Sequence, residues 1–211
     1  MWQSIAYYCW LLVESVAGVF GVRLYEEPRY DVIDRVGDRV EIRRYAPRLA
    51  AEVELASAGE AGRREAFQLL FAYIAGANQA SATGQNTIAM TTPVEVSGKQ
   101  LVAMTVPVET SDGAGAAHMR FFLPAKFSVA TAPKPLNPRV RLVTVSDETL
   151  AILRFTGSAS DLAERKTELV AKLANARWRP SSEPYALFYD APFTLPFLRR
   201  NEAAVAVVKT P

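Results

Sequence analysis

Residues 63–76 read RREAFQLLFAYIAG, and this stretch fixes the interpretation of the sequence on either side of it. Its large apolar side chains recur at spacings of three and four residues, a pattern that places them on one face of an α-helix. Gly76 stands where a helix C-cap is expected. The pattern therefore predicts one amphipathic helix over residues 58–76. Its apolar face consists of Phe67, Leu70, Phe71 and Ile74.

The sequence on both sides of this helix predicts β-structure. Between residues 30 and 55, apolar and charged residues partly alternate around Gly37-Asp38, which predicts two strands joined by a turn. After the helix, residues 87–96 and 101–108 are rich in β-forming residues and predict a hairpin. Residues 118–123 predict one more strand. We also interpret Glu52 and Glu54, which alternate on a predicted strand, as solvated surface carboxylates.

The second half of the chain repeats this order. Residues 140–145 and 150–155 predict strands, and a helix follows up to Asn175, with Ser158 and Asp161 as its capping box. The inner face of this second helix consists of Leu162, Leu169 and Leu173. Two closing strands are predicted at 185–189 and 203–208. The repeated order predicts an α+β fold, in which a duplicated βαββ unit forms a distorted antiparallel β-barrel flanked by two α-helices.

Residues 1–24 form a separate apolar N-terminal helix in this interpretation, ahead of a domain over residues 25–211. The stretch 5–22 is apolar except for Glu14 and Ser15, and it is close to the shortest length that spans a bilayer. Three interpretations stay open: a membrane anchor that gives membrane contact through residues 5–22, a helix packed on protein, and a cleaved signal peptide. A membrane-associated or periplasmic location is favoured over a cytoplasmic one.

Composition excludes several classes of function. The chain has 24 Lys and Arg against 22 Asp and Glu, and it lacks a basic stripe with interleaved aromatic residues, so nucleic acid is not expected as a partner. Cys9 and His118 are the single residues of their types, which excludes an intrachain disulfide, a Cys-based zinc site and a His-pair metal centre. No glycine-rich phosphate-binding motif is present, which disfavours nucleotide hydrolysis.

A long loop before the last strand is the second candidate functional element. It covers residues 190–200, is braced by Pro192 and Pro196, and ends in Arg199-Arg200. A loop with several large apolar side chains usually covers an apolar surface. Together with the helix face, it predicts an apolar cleft with arginines at its mouth, which suits a planar ligand that carries carboxylates. The apolar residues of the loop are Phe193, Leu195, Phe197 and Leu198.

Five motifs occur in order along the chain. They are AMTTPV at 89–94, MTVPV at 104–108, MRFFLP at 119–124, APKPLNPRV at 132–140 and PFTLPFLRRNE at 192–202. Together they resemble the SOUL haem-binding protein family over about residues 30–208. The resemblance implies the same duplicated fold. It also implies non-covalent binding of haem or another tetrapyrrole, such as a metal-free porphyrin, in an apolar cleft between the first helix and the loop before the last strand.

Position and chemistry assign the residues of this cleft. Its walls are Phe67, Leu70, Phe71 and Ile74 of the helix and Phe193, Leu195 and Phe197 of the loop, and the candidate partners of the propionates are Arg63, Arg64 and Arg199. Some family members carry a histidine, proposed as an iron ligand, in the segment that here reads EIRRY at 41–45. Arg44 lies there in this chain. Axial ligation by a histidine is therefore not expected, and no metal ligand is assigned.

The resemblance favours a non-enzymatic binding protein that carries, buffers or senses a tetrapyrrole. Two alternatives stay open. One is an enzyme that degrades haem or removes its iron, against which the missing axial ligand argues. The other is an interaction protein that binds a different effector and no haem, because fold does not determine function. The oligomeric state is left open.

Overall fold

A computed structural model of the chain describes residues 26–56, 59–79, 88–89, 91–97, 117–157, 161–190 and 194–210. The apolar segment 1–24, the strand predicted at 101–108 and Phe193 of the loop lie outside the described residues. Within the described ranges, no helix combines the length and the apolar character needed to cross a bilayer.

The described residues form twelve strands and two α-helices, with a short 3₁₀ helix at Pro196–Leu198. The helices are α1, Glu60–Ile74, and α2, Leu162–Leu173. The strands are β1 Tyr30–Val36, β2 Val40–Tyr45, β3 Arg48–Glu54, β4 Asn78–Gln79, β5 Val94–Ser97, β6 His118–Phe122, β7 Lys134–Pro135, β8 Arg141–Val145, β9 Glu148–Thr156, β10 Trp178–Pro180, β11 Tyr185–Phe188 and β12 Arg200–Lys209.

Ten of these strands form one curled antiparallel sheet in the order β1-β2-β9-β12-β11-β5-β6-β3-β8, with β10 added beside β12. The path begins at β1 and ends at β8, and these two strands are not neighbours in it. The sheet is therefore a half-barrel, and the prediction of a barrel is corrected in this respect. Both edge strands are half-exposed and carry charged side chains, which disfavours further pairing.

The strand pairing repeats between the two halves of the chain, as the predicted duplication requires. In the first half β6 lies between β3 and β5, and in the second half β12 lies between β9 and β11. The pairing of β5 with β11 joins the halves at the centre. Each half also gives a strand to the other, because β2 pairs with β9 and β8 pairs with β3.

Each helix packs on its own half of the sheet and buries a separate core. Helix α1 contacts β3 and β6, while α2 contacts β9, β10 and β12. The predicted inner face of α2 is confirmed, because Leu169 and Leu173 are buried and Leu162 packs partly buried against the same core. Burial of a large aliphatic side chain contributes about 1.5–3 kcal/mol, so these faces hold the helices on the sheet.

Several predicted boundaries are wrong for local reasons. Residues 30–54 form three strands instead of two, because the exposed Ala46-Pro47 interrupts the chain and proline has no N–H to donate to a ladder. Of the predicted capping box, Asp161 is the N-cap residue of α2 and makes no side-chain cap there, while Ser158 lies outside the described residues. Strand β10 was not predicted, because a strand of three residues is too short to show a periodic pattern.

The sheet face opposite the helices, here called the polar face, is charged yet largely buried. Glu202 is fully buried there, and its Oε2 accepts hydrogen bonds from Arg43 Nη1 at 3.0 Å and from Tyr189 Oη at 2.6 Å. Its Oε1 accepts from Arg200 Nη2 at 2.8 Å. Glu52 is buried on the same face and accepts from a neighbouring arginine, so its interpretation as a solvated carboxylate is wrong.

Buried tyrosines give the fold a measurable pH dependence. Burial raises the pKa of Tyr73 to about 12, and burial also raises the pKa of Tyr45 to about 12. The folded chain therefore keeps these phenol protons when the unfolded chain, with a tyrosine pKa of 10.0, loses them. The resulting stability is complete below pH 10 and is lost as the pH rises through about 12.

We expect the free energy of unfolding to fall across that interval, and a phenolate absorbance titration to show a late class of tyrosines. Tyr73 donates its hydroxyl to the Pro133 carbonyl at 2.8 Å, so Tyr73→Phe should remove one late-titrating group. Titration of every tyrosine at the pKa of an exposed phenol would contradict this prediction.

Candidate functional site

The margin of α1 carries two aromatic rings, which we call the aromatic shelf: Phe67 and Phe71. Their ring centroids are 6.1 Å apart and their planes differ by 12°. Phe67 is half-buried and meets Phe121 of β6 edge-on at 5.4 Å, while Phe71 is 50% exposed. The shelf is therefore anchored in the core on one side and offers an apolar, aromatic surface to solvent on the other.

Leu70 and Ile74 lie beneath this shelf. Leu70 is fully buried and Ile74 is 5% exposed, and both belong to the core between α1 and the sheet. The core-facing side of the helix runs through Ala66, Leu70 and Tyr73, so Phe67 and Phe71 stand at its edge. Of the four predicted helix residues, Leu70 and Ile74 therefore belong to the core, whereas Phe67 and Phe71 form the aromatic shelf.

The predicted cations of α1 differ in their surroundings. Arg64 is exposed and pairs with Glu60 at 2.7 Å, a surface ion pair of the kind that contributes little. Arg63 is half-buried and lies near Lys166 of α2. Burial lowers the pKa of Lys166, and the positive charge of Arg63 lowers it further. The carboxylate of Glu183 acts on Lys166 in the opposite direction and raises its pKa, so Lys166 lies between a positive and a negative neighbour.

Lys166 is a residue that the sequence analysis missed. It lies four positions after Leu162 and three before Leu169, on the side of α2 that is otherwise apolar. A lysine on the inner stripe of an amphipathic helix was the available signal.

The loop between β11 and β12 presents one large ring to solvent. Phe197 lies in the 3₁₀ helix and is 69% exposed, whereas Leu195 is half-buried. Arg199 donates from Nε to the Thr194 carbonyl at 2.7 Å, so this predicted propionate partner also braces its own loop. A further brace is the Arg200 backbone N–H, which donates to Asp190 Oδ2 at 2.6 Å.

The topology relates the shelf to this loop through the central strands. Helix α1 rests on β3 and β6, and α2 rests on β9 and β12, while β5 and β11 lie between these pairs in the sheet. Phe188, the last residue of β11, packs against the core under α1, and the loop begins directly after β11. The structure brings Phe67 and Phe71 into contact with each other and places the loop at the end of the strand between the helices.

The aromatic shelf consists of phenylalanines, whose side chains do not ligate iron. Within the described part of the chain, no group of three or more His, Cys, Asp and Glu residues could hold a metal ion. His118 alternates with Met119 and Phe121, which face α1, so it lies on the polar face, where its Nε2 is 3.2 Å from Glu95 Oε1. Aromatic rings and cations are nevertheless the groups that a porphyrin plane and its propionates require.

Solved structures share this architecture at low sequence identity. The C-terminal domain of EcmrR matches with a TM-score of 0.56 and 8% identity, over 82% of this chain and 98% of that domain. In an EcmrR–DNA complex the chain spans 58% of the matched protein, at 7% identity and a TM-score of 0.58. A Listeria innocua protein described as a hydrolase matches with a TM-score of 0.53 and 12% identity, over 81% of this chain and 92% of that one. At such identities the likeness shows the fold alone.

Sequence comparison identifies the family. No protein of curated function matches this chain. The family model described as SOUL heme-binding protein matches residues 25–206, which is most of the chain and contains both helices, the aromatic shelf and the loop. The chain belongs to the SOUL haem-binding protein family.

Proposed function

We propose that this chain binds haem or a related tetrapyrrole non-covalently on the aromatic shelf, with the loop over residues 194–199 as the opposite wall. The observation that carries the proposal is the exposure of Phe71, half of whose surface is in water although its ring is stacked on Phe67. An aromatic pair fixed to a rigid helix can bury one face of a porphyrin without rearranging the core.

The cations around the shelf supply the second half of the binding site. Arg63 and Arg64 are neighbours on α1, and Lys166 of α2 feels the charge of Arg63 as well as that of Glu183. Carboxylates of the ligand would accept charge-assisted hydrogen bonds from these cations. Arg199 is proposed as a fourth partner, from the loop side.

The proposed role is a carrier, buffer or sensor, because the shelf offers burial and charge pairing instead of iron chemistry. Bound haem supplies redox chemistry only through an iron whose axial ligands tune it. The residues of the shelf are phenylalanines, which cannot ligate iron. Affinity should then depend on the ring system and its propionates, and only weakly on the metal.

Titration of the purified full chain with haem and with protoporphyrin tests this proposal. We expect saturable binding of both at micromolar ligand, seen as a shifted Soret band for haem and as quenched tryptophan fluorescence for both. The two affinities should agree within about tenfold, since an axial bond would add more than 1.4 kcal/mol to one of them. Absence of a saturable change with either ligand would refute the proposal.

A time course on the haem complex separates binding from catalysis. With a reductant and oxygen present, the Soret band should decay no faster than that of free haem under the same conditions. Faster decay would favour the alternative of a haem-degrading enzyme.

A further inference from the structure

A partly enclosed cavity of about 370 Å³ lies where the chain enters β1, away from the aromatic shelf. Its described lining comes from residues 26–29 before β1, residues 46–49 around the β2–β3 turn, Thr91, and residues 122–125 and 127 after β6. Its volume falls within the range of about 300–1,000 Å³ that is usual for small-molecule sites. None of the described residues of the shelf or of the loop between β11 and β12 lines it.

The interior of the cavity is apolar. Its walls include Leu49, Phe122 and Leu123, which are buried, and the ring of Phe127. Three prolines also line it, and a proline brings no backbone N–H to the surface. Such walls favour an aromatic or aliphatic body in the ligand. The prolines are Pro28, Pro47 and Pro124.

One buried donor among the lining residues is unused. Arg48 is 11% exposed, and its guanidinium lies between the rings of Tyr45 and Phe122, at 4.2 and 4.5 Å from their centroids. Its Nη2 donates to Glu148, but its Nε is buried and has no hydrogen-bond partner. A buried donor without an acceptor costs about 1–3 kcal/mol. The two rings and Glu148 hold this donor in place, so it is preorganised for an acceptor.

The charged groups at the mouth point to the same kind of ligand. Both carboxylates there are engaged: Glu26 accepts from the Ala125 N–H at 3.0 Å, and Glu27 pairs with Arg200 at 3.1 Å. Arg29 is exposed and has no hydrogen bond or ion pair within the described part of the chain. Arg48 Nε and the guanidinium of Arg29 are therefore two cationic donors at this cavity that have no acceptor within the described part of the chain.

We propose that this cavity binds a small apolar monocarboxylate, such as an aryl or medium-chain alkyl acid. The apolar body packs against Phe122 and Leu123, one carboxylate oxygen accepts from Arg48 Nε, and Arg29 pairs with the carboxylate at the mouth. This site is separate from the proposed tetrapyrrole site. A water molecule on Arg48 Nε is the competing occupant.

Calorimetric titration of the full chain with 1-naphthoate, and with the uncharged 1-naphthamide, tests the proposal. We expect naphthoate to bind saturably at one site per chain, and naphthamide to bind at least about tenfold more weakly, because it lacks the charge that both arginines require. Arg29→Glu should weaken naphthoate binding by about tenfold or more. Arg179→Glu reverses an exposed charge on β10 and serves as the matched control, which should bind like the unmodified chain.

Two more variants locate the binding. Ala46 is exposed at the rim, so Ala46→Trp should block naphthoate without disturbing the core, and a thermal melt checks that the variant is folded. Phe71→Asp, which alters the aromatic shelf, should leave naphthoate binding unchanged and so separate this site from the tetrapyrrole site. No saturable binding of naphthoate would mean that water alone fills the cavity. That result, equal binding of naphthamide, or binding that a folded Ala46→Trp variant retains would overturn the proposal.

Discussion

Glu202→Ala is expected to lower the free energy of unfolding by about 3–5 kcal/mol, the range observed when one partner of a buried ion pair is removed. Glu202 is fully buried and joins Arg43 to Arg200 across the polar face. Its removal leaves both guanidinium groups without their shared carboxylate, and the Tyr189 hydroxyl loses its acceptor. Arg43 keeps Glu41 and Arg200 keeps Glu27, but each buried guanidinium loses one of its carboxylate partners, so the loss should exceed that of an ordinary truncation.

Equilibrium unfolding in urea measures this effect. Glu164→Ala is the matched control, because the Glu164 side chain is 76% exposed on α2 and its removal should change stability by no more than about 0.5 kcal/mol. A loss below about 1 kcal/mol for Glu202→Ala would show that water replaces the missing carboxylate and that the polar face is not dry.

Phe71→Asp is expected to abolish haem and protoporphyrin binding while the chain stays folded. The change removes an exposed ring from the shelf and places a carboxylate where the porphyrin plane should rest, next to its propionates. We expect a loss of affinity of at least about a hundredfold, from lost apolar contact and from like-charge repulsion together. Because Phe71 is 50% exposed, the free energy of unfolding should change little.

Substitution of the preceding residue, Leu70, should affect stability. Leu70→Ala removes a fully buried side chain and should cost about 2–5 kcal/mol of stability. Val32→Asp, at a 43% exposed position on the edge strand β1, controls for a new surface carboxylate and should bind haem normally. Absorbance titration and urea unfolding of the three variants complete the comparison. If Phe71→Asp binds haem as the unmodified chain does, the site lies elsewhere.

The contrast between the buried Leu70 and the exposed Phe71 also shows what sequence periodicity can and cannot predict. Spacing predicted the helix within two residues of its observed ends, because amphipathic repeats report the helical period directly. It could not divide the apolar face into core and surface. That division depends on the rotation of α1 on β3 and β6, which is a tertiary property.

The polar face was missed for a related reason. On a single strand, alternating charged residues such as Glu52 look like one solvated side of a sheet. Their partners come from other strands: Arg43 on β2 and Glu202 on β12 meet across β9, although 159 positions separate them in the chain.

The sequence predicted an antiparallel sheet, but it did not predict that the sheet stays open as a half-barrel. The duplicated order of strands and helices could be inferred from the repeated pattern, whereas the half-barrel could not, because closure depends on twist and on the chemistry of the edges. Asp31 and Arg35 make β1 a charged edge, and Arg141 does the same for β8.

Because β2 pairs with β9 and β8 pairs with β3, each half of the chain contributes a strand to the sheet of the other half. Neither half forms a complete sheet by itself. Cleavage between β6 and β8 would therefore give two fragments with unpaired strand edges, and we expect these fragments to bind each other. The arrangement resembles a strand-exchanged dimer whose two subunits are joined in one chain. The segment that connects them acts as a tether that keeps each half at a high effective concentration around the other. Melting should accordingly be a single cooperative event for both halves.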